Sequence, residues 1–449
     1  MGIAEELAEV LRIEAASRSV IGAAAGVLVD GECFTAAVGV TSIEHPLPVD
    51  ASTLFQVGSI SKTFTSAAIA MLVEDGRLSF DDPVSKHVPD LGARTGIDFD
   101  AITVEHALSH QAGFDGDHLF VSRQADSLDA LRGARQLFGP GTEFSYNNAM
   151  FSVAGEIVAA ASGQPYETFV RERLLAPLGM KSATFRADDA ITNRVALPHF
   201  VAGDDAIVIR GAGWQPGWEL GPVDRAAGGL IASVDHMLEW CRFQTTGATR
   251  DGRSLLSHES LVRLHRPLVA IDATSDVGLD WFVESTDGVT TIGHGGLTAG
   301  YCSELVVVPD RGVGVVALTN STNGGGLNHV VRRWALERAG GIREQDPVPD
   351  AASAVDVMRV TGRYLAPFGV LTIEATAEPG TIRVTTAQRD DVEGWKPPPD
   401  PPMTFGFFAD DHVISLDAPG AARIARFGYG PTGHADWVLW GLRRAPRLP

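Results

Sequence analysis

A serine hydroxyl and a lysine amine stand three residues apart in Ser59-Ile60-Ser61-Lys62, where an apolar helical pattern begins. Positions i and i+3 share a helix face, so one turn presents a nucleophile beside a base. A serine needs such a base to attack a carbonyl at neutral pH. Lysine can serve when burial or neighbouring positive charge destabilises its ammonium, whereas arginine keeps its proton. The chain has only four lysines, at 62, 86, 181 and 396, and Lys62 alone follows a serine by three. The same residues also fit a plain helix start, with Ser59 as cap and Lys62 in solvent. A cation in the first turn opposes the helix dipole, which tilts the reading towards chemistry.

Two further groupings bear on that choice. Phe144-Ser145-Tyr146-Asn147-Asn148 follows a Gly-Pro-Gly loop. Tyr146 could share a proton with Ser59 or pass it to a leaving group, or be a core-edge aromatic with its hydroxyl paired. Asn148 could hold a substrate amide or Lys62. Gly293-His294-Gly295-Gly296-Leu297 falls on an expected strand, and glycines inside a strand suggest close backbone approach. His106 and His110 are spaced i, i+4, with Asp115, Asp117 and His118 nearby, but the order H-E-x-x-H is absent. No metal site is read there, and no cofactor is expected. Asp224 could meet a substrate amine, and Arg443-Arg444 could reach over the cleft towards a carboxylate, but a surface ion pair for the first and solvent for the other two are the readings taken.

Taken in order, Ser59-x-x-Lys62, Tyr146-x-Asn148 and His294-x-Gly296 make the chain resemble the serine β-lactamase and penicillin-binding-protein-like superfamily, in its class C and related esterase branch. Leu54 to Gly58, Leu108 to Gly113 and Gly228 to Ser233 add to the likeness, which covers roughly residues 10–340. The resemblance implies Ser59 as the acylated nucleophile, with Lys62 and Tyr146 handling the proton. It implies Asn148, His294 and Gly296 as substrate-binding residues, and the backbone N–H groups of Ser59 and Leu297 as the oxyanion hole. Many penicillin-recognising enzymes carry lysine where this chain has His294, so weak or no β-lactamase activity is expected. The implied function is a serine hydrolase cleaving an ester or amide of a small molecule or peptide through an acyl-serine. Two alternatives stand beside it. One is an acyltransferase or thioesterase passing the acyl group to an amine, by transacylation or peptide macrocyclisation. The other is a catalytically silent ligand-binding protein.

The elements that must position these residues follow from patterning. Residues 4–17 read as a helix, and Val20 to Val40 as a hairpin about Asp30-Gly31. Helical segments and Pro/Gly loops run from about 80 to 230, then a helix from Val234 to Phe243. Strands return at Trp281–Val283, Thr290–Ile292, Ser303–Val308 and Gly314–Leu318, before a helix over Leu327–Arg338. The expected fold is α+β: an antiparallel sheet flanked by helices with an all-helical lobe, over residues 1–345. Residues 355–449 carry short strand-like runs, including Trp437 to Leu442, and read as a small antiparallel β-barrel or sandwich, lipocalin-like. Lys396 to Pro402 reads as a stiff surface loop within it.

The net charge of −20 over 449 residues would repel phosphate backbones and anionic lipid, so neither nucleic acid nor membrane is an expected partner. No apolar run is long enough to span a bilayer, and the first residues lack a basic start and long apolar run. A cytoplasmic location is expected. Cys33, Cys241 and Cys302 read as buried small hydrophobes. Oligomeric state is not legible.

Overall fold

The computed structural model describes residues 2–117, 127–203, 205–210, 218–350, 355–367, 369–389, 401–417 and 423–449. They form two compact units. The first comprises residues 1–82, 151–268 and 277–344, and the second residues 83–150, 269–276 and 345–449. The fold is of the mixed helix-and-sheet class read from the sequence, with a nearly closed antiparallel barrel at the C-terminal end.

In the first unit, α1 (Ile3–Ser17) precedes the hairpin β1 (Gly22–Val29) and β2 (Glu32–Gly39). Asp30 and Gly31 both have positive φ, as a two-residue hairpin turn requires. Next come α2 (Ser61–Glu74) and α3 (Val234–Thr246), then β3 (Phe282–Thr286), β4 (Val289–Thr298), β5 (Tyr301–Val308), β6 (Val313–Thr319) and α4 (Gly325–Gly340). These strands pair in the order β2-β1-β6-β5-β4-β3, all antiparallel. Period-2 alternation sends Val306, Val308, Val313, Val315 and Ala317 to one face, where they pack on Leu7 and Leu11 of α1 and on Leu327, Val331 and Leu336 of α4. The helix α3 covers the other face, capped by the Ser233 side chain, which accepts the His236 N–H. A short antiparallel pair, His199–Ala202 with Asp205–Val208, sits among the loops of this unit.

α2 is buried along its length from Ser61 to Leu72 and so shows no polar face. Three of its four hydroxyls, those of Ser61, Thr63 and Thr65, are satisfied instead by carbonyls and side chains. Ser61 Oγ donates to Gly58 O, Thr65 Oγ1 donates to Ala226 O, and Thr63 Oγ1 accepts from Trp240 Nε1. The Phe64 and Trp240 rings stack at 3.7 Å between centroids.

In the second unit, eight strands from Gly362–Leu365 to Arg443–Pro446 pair antiparallel in chain order. An antiparallel bridge between Tyr364 and Arg447 brings the first strand against the end of the last. The barrel core is aromatic and aliphatic, built on Tyr364, Phe405, Phe407, Phe427 and Val438.

Two expectations need correction. The strand read over Trp437–Leu442 ends at Trp440, and Arg443 opens the next one. The turn between them is Gly441-Leu442, and a leucine in a left-handed conformation carries no turn signature. Cys33 is exposed, on the outer hairpin strand β2, while Cys241 and Cys302 are buried. Of the proline-rich loop, residues 396–400 lie outside the described residues. Among the described residues, no helix is long and apolar enough to cross a membrane.

Candidate active site

In the first unit, Ser59 lies in a 3₁₀ turn, Gly58–Ile60, that feeds α2. The tighter turn and the first helical turn carry the i, i+3 pair across their junction. Lys62 Nζ stands 3.0 Å from Ser59 Oγ and 2.5 Å from the carbonyl oxygen of Ala227. The lysine is fully buried, with its ammonium 5.6 Å from the centroid of the Phe151 ring. Helix-start solvation, the bland alternative for Lys62, therefore does not describe it.

The strand β4 runs against this turn. Gly58 has φ +54°, and a Cβ there would meet Leu297 N at 2.9 Å and Gly296 Cα at 3.2 Å. A Cβ at Gly296 would meet Val57 O at 2.1 Å and Ser303 Oγ at 2.2 Å. Only two glycines allow this approach, which brings the Leu297 backbone N–H beside the Ser59 turn. Ser303 Oγ donates to Val57 O at 2.7 Å and fastens β5 to the same turn. The Leu297 side chain is 70% exposed, so its value here lies in its backbone.

His294 occupies the same strand but is nearly buried. Its Nε2 lies 3.4 Å from Asp280 Oδ1, and its Nδ1 lies 2.6 Å from Gly295 O. The Phe282 ring stacks on it at 4.7 Å. Asp280, with φ +74° and no exposed surface, is a partner that nothing in the sequence announced. Asp224, read as a surface charge, accepts a hydrogen bond from Ser152 Oγ at 3.3 Å.

In the second unit, Tyr146 and Asn148 flank Asn147, whose Oδ1 accepts the Met150 N–H and caps the helix Asn148–Ser162. His110, left-handed at φ +59° and fully buried, accepts the Asn147 N–H on Nδ1 at 3.0 Å and stacks its ring on Tyr146 at 4.2 Å. His106 serves a local cap: its Nδ1 accepts the Thr103 N–H at 3.4 Å. Burial pushes its proton affinity down. His118 lies outside the described residues. Among the described residues, no group of three or more His, Cys, Asp or Glu is placed to hold a metal.

Asn148 Nδ2 donates to Asp117 Oδ1 at 2.8 Å, and Arg443 Nε donates to Asp117 Oδ2 at 2.8 Å. Arg443 was read as facing solvent; its guanidinium instead lies over the Tyr146 ring, 4.7 Å from the centroid. Burial works against its charge, but the Asp117 carboxylate outweighs this and holds it above its usual value. Arg444 likewise pairs with Glu143. His110, Asp117 and Arg443 were thus noticed in the sequence, the first two as metal-ligand candidates and the third as a surface charge, but not as partners of the second motif.

This fold defines a class, the serine β-lactamase and penicillin-binding-protein-like superfamily. Within it the chain belongs to the beta-lactamase family, whose model matches residues 7–340. Members of this family are serine hydrolases and amidases. The chain is 29% identical over 378 residues to penicillin-binding protein 4 of Amycolatopsis lactamdurans, covering 80% of this chain and 96% of that one. It is 27% identical over 337 residues to the unguisins hydrolase ungD of Aspergillus violaceofuscus, covering 67% of this chain but 58% of that protein. The crystal structure of SurE superposes with a TM-score of 0.73 at 24% identity over 99% of both chains. The likeness to SurE therefore includes the fold of the C-terminal barrel.

Proposed function

We propose that the chain is a serine hydrolase that cleaves an ester or amide through an acyl-enzyme on Ser59. The observation that carries this reading is the 3.0 Å contact that the fully buried Lys62 makes, through Nζ, with the half-buried Ser59 Oγ. Burial is the condition under which a lysine serves as a base. Ser59 Oγ forms a bond to the carbonyl carbon, and its proton passes by way of Lys62 and Tyr146 to the departing amine or alkoxide. Water then attacks the acyl-serine, releasing the acid and returning the proton to Ser59. The N–H groups of Ser59 and Leu297 hold the developing oxyanion, each such donor being worth about 10²–10³ in rate. Asn148, Gly296 and His294 border the substrate, His294 as a ring gripped by its own neighbours. One relative is itself named a hydrolase, which agrees with this reading.

A second reading, transfer of the acyl group to an amine, draws on one observation. SurE, with the same two-part architecture, has also been solved with D-Leu, a molecule that offers an amine. The silent-binder reading is disfavoured by the close Ser59–Lys62 contact. A fluorophosphonate probe followed by intact mass decides between enzyme and binder: one adduct is expected, lost in Ser59→Ala. No adduct on the unaltered protein would support the binder, and an adduct surviving Ser59→Ala would refute the assigned nucleophile. Adding amines to a turnover of an activated acyl ester separates the first two readings, since only a transferase diverts product from acid to amide.

A further inference from the structure

The hairpin tip at the C-terminal end of the barrel is folded onto the second motif. Gly441 and Leu442, at φ +55° and +69°, make a two-residue turn between paired Trp440 and Arg443. Such a turn needs positive φ at both positions, and glycine or asparagine supplies it without penalty. A leucine there is strained by its Cβ, and strain of that kind persists where the surroundings over-determine it. Here the surroundings are the motif itself: the Leu442 carbonyl accepts the Tyr146 N–H at 2.8 Å. The next residue, Arg443, donates Nη1 to Gly441 O at 2.8 Å, which stiffens the turn, and Nε to Asp117. Asp117 is 1% exposed and spends its second oxygen on Asn148. One buried carboxylate thus ties a barrel residue to Asn148, while the same guanidinium covers the Tyr146 ring.

We propose that this tip belongs to the catalytic apparatus, with Arg443 as a positioning residue that fixes the Tyr146 ring directly and the Asn148 amide through Asp117. The proposal rests on the reading of Tyr146 as a proton carrier. On it the C-terminal barrel is required for turnover, though it supplies no group that reacts. A guanidinium clamps in a way an ammonium matches only in part, because its planar fork serves Asp117 and Gly441 together.

The test uses the full chain and hydrolysis of p-nitrophenyl acetate, with thermal midpoints recorded for every variant. Arg443→Met is expected to lower kcat about 10- to 100-fold, the scale set by a misplacement of about 1 Å, while KM stays within about threefold. Arg443→Lys, which keeps a cation for Asp117, is expected to recover part of that loss. Arg444→Met is the matched control: it breaks the neighbouring pair with Glu143 and leaves Asp117, Asn148 and Tyr146 alone, so kcat should hold. A purely structural tie would make the two methionine variants fall alike, in step with their midpoints, and would overturn the proposal. So would Arg443→Met with full kcat. A slow Tyr146→Phe beside a fast Arg443→Met overturns this inference alone, whereas a Tyr146→Phe enzyme with full kcat fails the functional reading and this inference with it. Should Arg443→Met not fold, Asp117→Asn decides, with kcat expected to fall about tenfold and full activity counting against the proposal.

Discussion

Replacing Gly296 by alanine is the sharpest probe of the Ser59 site. A Cβ at this position would lie 2.1 Å from Val57 O and 2.2 Å from Ser303 Oγ, where ordinary contact starts at 3.4 Å. Relief needs β4 to move away from the Ser59 turn by about 1 Å, since the nearest obstacle is backbone and cannot rotate aside. Overpacking of this kind costs about 1–3 kcal/mol of stability. The same displacement draws the Leu297 N–H away from Ser59, and a 1 Å error in a reacting geometry costs about 10²-fold. Gly295→Ala is the control: its Cβ would meet nothing nearer than 3.7 Å, although it lies one residue away on the same strand. Fluorophosphonate labelling of Ser59, followed by intact mass over time, reads the rate directly, and circular dichroism melts read the fold. Gly296→Ala should label about 100-fold more slowly while remaining folded, and Gly295→Ala should label within a few-fold of the parent. Equal rates in both variants, or a Gly296→Ala rate within threefold of the parent, would refute the placement of Leu297 in the oxyanion hole.

Acid should destabilise the fold through two histidines. Burial pulls His265 down to about 3 and His236 down to about 4. The unfolded chain binds these protons near the ordinary 6.5 and the folded one does not, so stability is complete above that value. It falls as pH drops towards 4, by about 1.4 kcal/mol per unit for the well-buried His265. His265→Gln should flatten the dependence of the melting midpoint on pH, and an unchanged slope would remove His265 from the account. Leu442→Asn should stabilise the chain by about 0.5–1 kcal/mol by relieving a left-handed leucine, and a lower urea midpoint would show the turn is not strained. His294→Lys should leave penicillin acylation within about tenfold of the parent, because an ion pair with buried Asp280 would hold the new ammonium. A larger gain would mean that Asp280 does not capture it.

The Ser59–Lys62 pair was legible because its signal is local. Two chemically matched residues at helical spacing, in a chain nearly free of lysine, need no tertiary information. The strands of the first unit and most of the barrel were legible from alternation for the same reason. α2 was legible as a helix but not as a buried one, since its serines and threonines look solvent-facing until Gly58, Ala226 and Trp240 are placed beside them. Arg443 was misread for two reasons. Its partner Asp117 is 326 residues away, and the turn that aims it rests on a leucine where a turn residue is expected. His110 attracted attention as a metal ligand through its i, i+4 spacing from His106, yet each histidine spends Nδ1 on a backbone N–H. Spacing reports which side chains share a face but not which acceptor each will find.

The third motif shows what that limit means for specificity. From sequence, the departure from lysine at His294 reads as one substitution that weakens carboxylate recognition. In the fold the ring lies between Asp280 on one nitrogen, the Gly295 carbonyl on the other, and Phe282 across its face. A side chain held on three sides and almost without exposed surface offers a substrate little beyond its edge. Asp280 also sets a buried carboxyl group behind the position where a lysine would stand, in a left-handed conformation at φ +74°. The setting of His294 is therefore distributed over at least three residues. On the proposed reading, carboxylate recognition at this position takes changes at Asp280 as well as His294. The Ser59–Lys62 pair is written in four consecutive residues, whereas the setting of His294 is written in contacts that only the folded strand creates.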